Sequence, residues 1–311
     1  MKEIKKVLIA GAGSIGSMVA STIQKNSPNT VSILAGGERL ERYKTQGFII
    51  NNEKCSFSLT DVNSHTDPDL VIIACKFHHL SLVISDLQNH IGKDTLILSL
   101  LNGISSEEII GAAFGEHRIP LAMIVGTDAG HKENVTTYSK LGTIFFGDPK
   151  NSLVPHLWSP RIQAISNFFN KAHIAYEVPQ NMLNRLWFKF MMNVGLNQIT
   201  AILRQPYKFL KSSSRIPETA ELFDAAMNEV ILIANAENIL LNESDITEIY
   251  RIIDSLADEG KTSMCQDVEA GRKTEVELFS LTVMQLGQKH GIPVPVNTIL
   301  FRMLRSIEES F

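Results

Sequence analysis

Cysteine is scarce in this chain: three in 311 residues, at positions 55, 75 and 265. The number is odd and no C-x-x-C spacing occurs, which fits reduced cytosolic thiols better than a disulfide framework or a zinc site. No metal site is expected. Long apolar runs are also missing. The first, Val7 to Ala10, is only strand length, too short for a secretory h-region or a membrane span, so the chain is expected to be cytoplasmic. No strong charge of either sign is present. Lys and Arg total 29 against 33 Asp and Glu, a net −4, which offers no cationic footprint for nucleic acid or an anionic membrane surface. Repeats and low-complexity stretches are absent as well. What remains is an apolar fraction of 44%, ample for a core, in a chain longer than the ~100–200 residues usual for one domain.

The most informative stretch is Lys5-Lys6-Val7-Leu8-Ile9-Ala10-Gly11-Ala12-Gly13-Ser14-Ile15-Gly16. A short β-branched strand runs into G-x-G-x-x-G, and Ser17-Met18-Val19-Ala20 continues as a helix. Gly11 permits the tight turn, Gly13 lets a pyrophosphate approach the backbone, and Gly16 lets helix and strand pack closely. The helix that opens there presents unpaired N–H groups and a positive dipole end to phosphate. Glycine-rich turns often serve only as turns. Placed between a strand and a helix at the chain start, this one predicts a dinucleotide site.

The first half alternates strand and helix patterns, which predicts a parallel sheet. Strands are expected at Thr30–Leu34, Leu70–Cys75, Thr95–Leu100, Leu121–Val125 and Thr143–Phe146. A helix is expected from His79 to His90, and another near Glu107 with Ser105 or Ser106 as its cap. From about Asn181 helical periodicity takes over, in segments 182–203, 216–238, 244–257, 274–290 and 296–309. The expected architecture is therefore α/β: a Rossmann-type parallel-sheet domain over residues 1–180, then an all-helical domain over 181–311, with catalysis in the cleft between them.

Two constellations in the helical half are candidates for chemistry. Lys189, Asn193 and Asn197 are spaced i, i+4, i+8 and share one stripe of a helix whose other positions are almost all apolar: Leu186, Trp187, Phe188, Phe190, Met191, Met192 and Leu196. One such polar residue would be read as snorkelling to water or bonding a nearby loop. Three on one stripe point to the wall of a functional cleft. The second run is Thr262-Ser263-Met264-Cys265-Gln266-Asp267, followed by Gly271-Arg272-Lys273-Thr274-Glu275. Its spacing alone reads as helix punctuation, with Asp267 and Thr274 as caps and Arg272 or Lys273 in a surface ion pair.

Together these residues resemble the 2-dehydropantoate 2-reductase (ketopantoate reductase) family over nearly the whole chain. The resemblance rests on Gly11-x-Gly13-x-x-Gly16, Lys76 after the Leu70–Cys75 run, Leu101-Asn102-Gly103, Lys189-x3-Asn193-x3-Asn197, and Ser263-Met264-x-Gln266-Asp267 with Glu275 beyond. It implies a helical domain like that of 6-phosphogluconate dehydrogenase, and reduction of ketopantoate to D-pantoate by NADPH, in the pathway to pantothenate and coenzyme A. It also implies roles. Lys189 would protonate the ketone oxygen, given burial that brings its pKa towards working pH. Glu275 would hold the substrate hydroxyl near the lysine, and Ser263 would contact the substrate carboxylate. Asn193 and Asn197 would orient substrate and lysine. Asn102 would stand at the nicotinamide–substrate junction, Lys76 near the cofactor ribose and phosphate, and residues Gly11 to Gly16 along the pyrophosphate.

The chain also departs from the family pattern. An arginine that commonly follows the second strand to hold the 2′-phosphate is Gly36 here. Arg39 and Arg42 are close enough to substitute, whereas Glu38 is suited to a ribose 2′-hydroxyl, so NADP is favoured and NAD stays open. The Asn-Gly usual after the lysine helix is replaced around Gln205-Pro206-Tyr207-Lys208, the Asn-Gly after Glu275 by Ser280-Leu281, and an asparagine before Ser263 by Gly260. These positions are expected around the substrate pocket, and they favour, as an alternative substrate, another branched or bulky 2-keto acid. A dinucleotide sensor without chemistry is the remaining alternative, and it would need none of Lys189, Ser263 and Glu275. The helical half could carry a homodimer interface, but no clear sequence signal marks one.

Overall fold

The structure is a computed structural model describing residues 3–214 and 216–311. The chain divides into two compact units, residues 1–102 with 106–183, and residues 103–105 with 184–311.

The first unit is built on five parallel strands: β1 (Val7–Ala10), β2 (Val31–Ala35), β5 (Ser58–Asp61), β6 (Leu70–Ile73) and β7 (Leu96–Ser99), in the order β5-β2-β1-β6-β7. Helix α1 (Ser14–Asn26) carries the chain from β1 to β2, and α2 (Gly37–Gln46) leads on towards β5. Between α2 and β5 lie β3 (Phe48–Ile50) and β4 (Glu53–Cys55), whose partners come later in the chain. Strands β1, β2, β6 and β7 are short apolar runs because both faces are covered, while β5 at the sheet edge, Ser58-Leu59-Thr60-Asp61, is largely polar. Val7 and Ile9 point into a core shared with Met18, Val19 and Ile23 of α1 and with Phe146 and Phe169. Leu8 and Ala10 point into the opposite core, among Val71, Ile73, Leu80, Val83 and Ile110.

Helix α3 (Leu80–Asp86) connects β6 to β7, and α4 (Ser106–Phe114) follows. Ser105 does not supply a cap to α4. Among the described residues its buried hydroxyl has no partner, while Ser106 pairs with Ser99 at 2.8 Å and with Glu107. After β8 (Leu121–Val125), the hairpin β9 (Asp128–Lys132) and β10 (Val135–Lys140) joins β3 and β4 in a separate sheet ordered β4-β3-β10-β9. Strands β8, β11 (Thr143–Gly147) and β12 (Tyr176–Glu177) form a third sheet, and α5 (Pro160–Lys171) precedes β12.

The second unit is helical. Its axis is α6 (Met182–Leu203), followed by α7 (Pro217–Ala236), α8 (Glu243–Ser255), α9 (Ser263–Glu269), a π-helical turn over Glu277–Leu281 that runs into α10 (Thr282–His290), and α11 (Pro295–Glu308). Helix α7 approaches α6 closely at Gly195, where a Cβ would stand 2.5 Å from the Phe223 ring. Asn242 and Asp245 close a capping box at the start of α8. At the start of α11 the buried Glu229 carboxylate of α7 accepts the N–H groups of Val296 (2.7 Å) and Asn297 (2.9 Å) and the Asn297 carboxamide (2.8 Å). No described helix is long and apolar enough to cross a membrane.

Candidate active site

In the first unit the strand order reverses between β1 and β6, and open α/β sheets bind ligands at the carboxyl ends of strands beside such a reversal. Gly11 leaves β1 with φ +103°, and a Cβ there would lie 2.8 Å from the backbone of Ala74 and Cys75 at the end of β6. A Cβ on Gly16 would lie 1.8 Å from the Gly11 carbonyl oxygen. These two glycines close the turn. Gly13 differs: nothing lies within 4 Å of the place its Cβ would take, so its backbone faces open space at the N-terminus of α1. Ala12, Ser14 and Ile15 complete the turn, with the Ser17 hydroxyl donating to the Ala12 carbonyl at 2.9 Å. A bare, unobstructed backbone at a helix N-terminus is what a pyrophosphate requires, so the residues fit a dinucleotide.

The other candidate cofactor residues sit along the same edge of the sheet. Gly36 caps α2 after β2, and a Cβ there would strike Cγ2 of Val62 at 2.5 Å, which explains why no side chain occupies that position. Glu38 is exposed in the first turn of α2. Arg39 points towards α3, its Nη2 pairing with Asp86 at 3.3 Å, and Arg42 lies over the Tyr43 ring. Lys76 and Asn102, both half-buried, follow β6 and β7. A second concavity, lined by Lys6, Thr30, Ser32, His65 and Thr66, opens at the opposite end of the strands and holds none of these residues.

In the second unit α6 is buried along nearly its whole length, as its composition requires. Lys189 is half-buried on it, and Asn193 and Asn197 follow on the same stripe, each only 6% exposed. Among the described residues neither carboxamide has a hydrogen-bond partner. Neither carboxamide is among the polar groups sealed from solvent without a partner, so the two reach the surface and, in line with the lysine, can meet a polar ligand.

Ser263 is the first residue of α9 and is exposed. The preceding Thr262 caps the helix, accepting from the Cys265 N–H at 3.1 Å, and burial raises the pKa of the Cys265 thiol. Asp267 is not a cap. It is buried within α9 and takes the Arg272 guanidinium at 3.0 Å. Thr274 is not a cap either: its hydroxyl accepts from the Val276 N–H at 3.2 Å in the turn ahead of the π-helical segment, whose N-cap Val276 makes no side-chain bond, and its own N–H donates to Glu308 at 2.7 Å. Glu275, next in the chain, is 7% exposed and lies just ahead of the π-helical turn, a feature frequent at functional sites. Ser280 does not line a pocket. It is fully buried and donates to Gln198 of α6.

Tyr207 and Gly260 meet. The Tyr207 ring covers the bare glycine so closely that a Cβ would be 2.8 Å from it, and its hydroxyl donates to the Lys261 carbonyl at 3.1 Å. The sequence reading passed over Gln198 and Thr200, which are buried and bonded to other segments of this unit. Their only sequence signal was polarity inside an apolar helix, just beyond Asn197. Among the described residues no group of three or more His, Cys, Asp or Glu side chains could hold a metal ion.

Residues 7–151 match the family model described as ketopantoate reductase PanE/ApbA, and residues 181–308 match the model of that family's C-terminal region. The chain belongs to the ketopantoate reductase family. It is an oxidoreductase of that family. A 2-dehydropantoate 2-reductase from Pyrococcus horikoshii is 26% identical over 309 residues, covering 97% of each chain. One from Vibrio cholerae is 24% identical, covering 98% of each. Among solved structures, a D-mandelate dehydrogenase complexed with NADH superimposes with a TM-score of 0.85 at 22% identity, covering 98% of this chain and 99% of that one. A dimeric ketopantoate reductase from Staphylococcus aureus gives 0.79 at 20% identity, with the same coverage. These likenesses establish the ketopantoate reductase fold.

Proposed function

We propose that the protein reduces a 2-keto acid to the 2-hydroxy acid with NADPH, and that ketopantoate, reduced to D-pantoate for pantothenate and coenzyme A synthesis, is its substrate. The first domain, residues 1–180, binds the nucleotide through Gly11–Gly16, Arg39, Lys76 and Asn102, and the helical domain, residues 181–311, binds the acid. The observation that carries this reading is the single stripe of α6 that sets Lys189 in line with Asn193 and Asn197, whose carboxamides bond no other group among the described residues.

When bound, the nicotinamide supplies the hydride for C2 of the keto acid. Ser263 holds the substrate carboxylate, and Glu275 accepts from the substrate hydroxyl. Lys189 donates a proton to the ketone oxygen as negative charge develops there, and Asn193 and Asn197 keep substrate and ammonium in line. A soluble cytoplasmic homodimer is the assembly proposed, in keeping with the relative from Staphylococcus aureus described as dimeric.

A second reading, reduction of a bulkier 2-keto acid, is favoured by the Tyr207 ring seated on Gly260 and by the likeness to D-mandelate dehydrogenase. Oxidation of NADPH and NADH, followed with ketopantoate, branched 2-keto acids and phenylglyoxylate, separates the two. Lys189→Ala should lower kcat by about 10²–10⁴-fold with nucleotide binding kept. A folded variant, judged by its melting temperature, that turns over normally would remove Lys189 from the mechanism.

A further inference from the structure

Just beyond the Lys189–Asn197 stripe, Thr200 is 1% exposed and its hydroxyl lies 2.9 Å from that of Thr262, itself 3% exposed. Thr262 stands immediately before Ser263. The direction of this bond follows from counting protons. Thr200 Oγ1 is 2.7 Å from the Leu196 carbonyl, which can only accept, so the single Thr200 proton goes there. The Thr262 hydroxyl must then donate to Thr200 Oγ1. Its own lone pair accepts the Cys265 N–H at 3.1 Å, the cap of α9. One directed chain runs from the α9 backbone through two buried hydroxyls into the α6 backbone.

Both ends are fixed. Arg204, at φ +52°, ends α6, and the Gln205 N–H returns to the Thr200 carbonyl at 3.0 Å, in the pattern of a Schellman stop. Thr262 begins a helix that its own side chain caps. The residue joined to α6 is therefore the one whose backbone leads directly into Ser263.

We infer that Thr200 and Thr262 are positioning residues, a hydroxyl relay that holds Ser263 in register with the lysine helix for the substrate carboxylate. This rests on the reading of Ser263 given above. Thr200→Val keeps shape but leaves the Thr262 proton without an acceptor in a buried site, and the start of α9 must shift to find one. The expected result is a rise of about ten-fold in KM for the keto acid, equivalent to about 1.4 kcal/mol, with kcat within two-fold and nucleotide affinity unchanged. Thr200→Ser, which keeps the acceptor, should restore KM.

Because the effect passes through Ser263, Thr200→Val added to Ser263→Ala should raise KM no further than Ser263→Ala alone. Thr200→Ala is the second variant should valine not fold, with the same rise expected. A lowered melting temperature with unchanged KM would make the pair structural and overturn the inference. If Ser263→Ala raises KM and Thr200→Val does not, the inference fails alone. If Ser263→Ala leaves KM unchanged, the assignment of Ser263 fails and the relay's role falls with it.

Discussion

At the scale of single residues, the glycine turn separates two kinds of constraint that look identical in sequence. Gly16 is small because the Gly11 carbonyl oxygen occupies the place of its Cβ at 1.8 Å, so Gly16→Ala must push strand and helix apart. Gly13 meets nothing within 4 Å, and its φ of −74° suits any residue, so the folded chain alone gives no reason for glycine there. The constraint at Gly13 is then the ligand's. Gly13→Ala should leave the urea midpoint of unfolding within about 0.5 kcal/mol of the parent while weakening nucleotide binding several-fold. Gly16→Ala should lower stability by about 1–3 kcal/mol, and binding with it. Unaltered nucleotide affinity in Gly13→Ala would show that the pyrophosphate passes elsewhere. Gly11–Gly16 and the Lys189–Asn197 stripe stand out in the sequence by turn chemistry and helical spacing, whereas Lys76, Asn102, Ser263 and Glu275 are singled out only through the family resemblance. The bonds that fix them were not legible. Nothing in Thr200 or Thr262 as letters indicates that two hydroxyls 62 residues apart in sequence meet.

Elements were legible where one strong period governs them. The parallel strands β1, β2, β6 and β7 are apolar runs buried on both faces, and α6 is apolar nearly all round, so pattern and structure coincide. The small sheet of β3, β4, β9 and β10 went unseen. Its segments, such as Glu53–Cys55 and Asp128–Lys132, are short and largely exposed, and their pairing across the sequence makes them strands. Helix α9 was missed because its seven residues are too few to display a period, and the π-helical turn shifts the start of α10 away from an expected single helix over 274–290.

The α2–α3 pair bears on cofactor choice. Arg39 is held by Asp86, so a 2′-phosphate must compete with a carboxylate for the guanidinium. Asp86→Ala should therefore tighten NADPH relative to NADH, and Arg39→Ala should weaken NADPH selectively, both measured by titrating nucleotide fluorescence. Equal effects of Arg39→Ala on the two nucleotides would leave this arginine a structural partner of α3.

At the scale of the whole molecule, the near balance of charge leaves stability against pH to particular buried groups, and His90 is the clearest. It is fully buried, and burial pushes its pKa below the ordinary 6.5. Hydrogen bonding to the Val62 backbone opposes this most, with the carboxylates Asp86 and Asp61 on the same side, while the nearby His65 adds to the lowering, and burial outweighs the opposition. Its ring Nδ1 lies 2.7 Å from the Thr66 hydroxyl, which ties the segment before β6 to the turn after α3. In the unfolded chain the same ring protonates near 6.5, so below that pH the unfolded state binds more protons than the folded one. The stability that depends on a neutral His90 is complete above pH 6.5 and is lost as pH falls from there towards the lowered folded value. Depressed carboxylates such as Glu237, whose pKa is lowered first by its hydrogen bond to His290, act only below about 4.5, which keeps the two windows apart. Melting temperatures taken at intervals from pH 7.5 to 5 should therefore fall more steeply for the parent chain than for His90→Gln, which has no proton to gain. Parallel profiles would mean that His90 accepts its proton in the folded state without cost, and that the acid sensitivity of this chain lies in other groups.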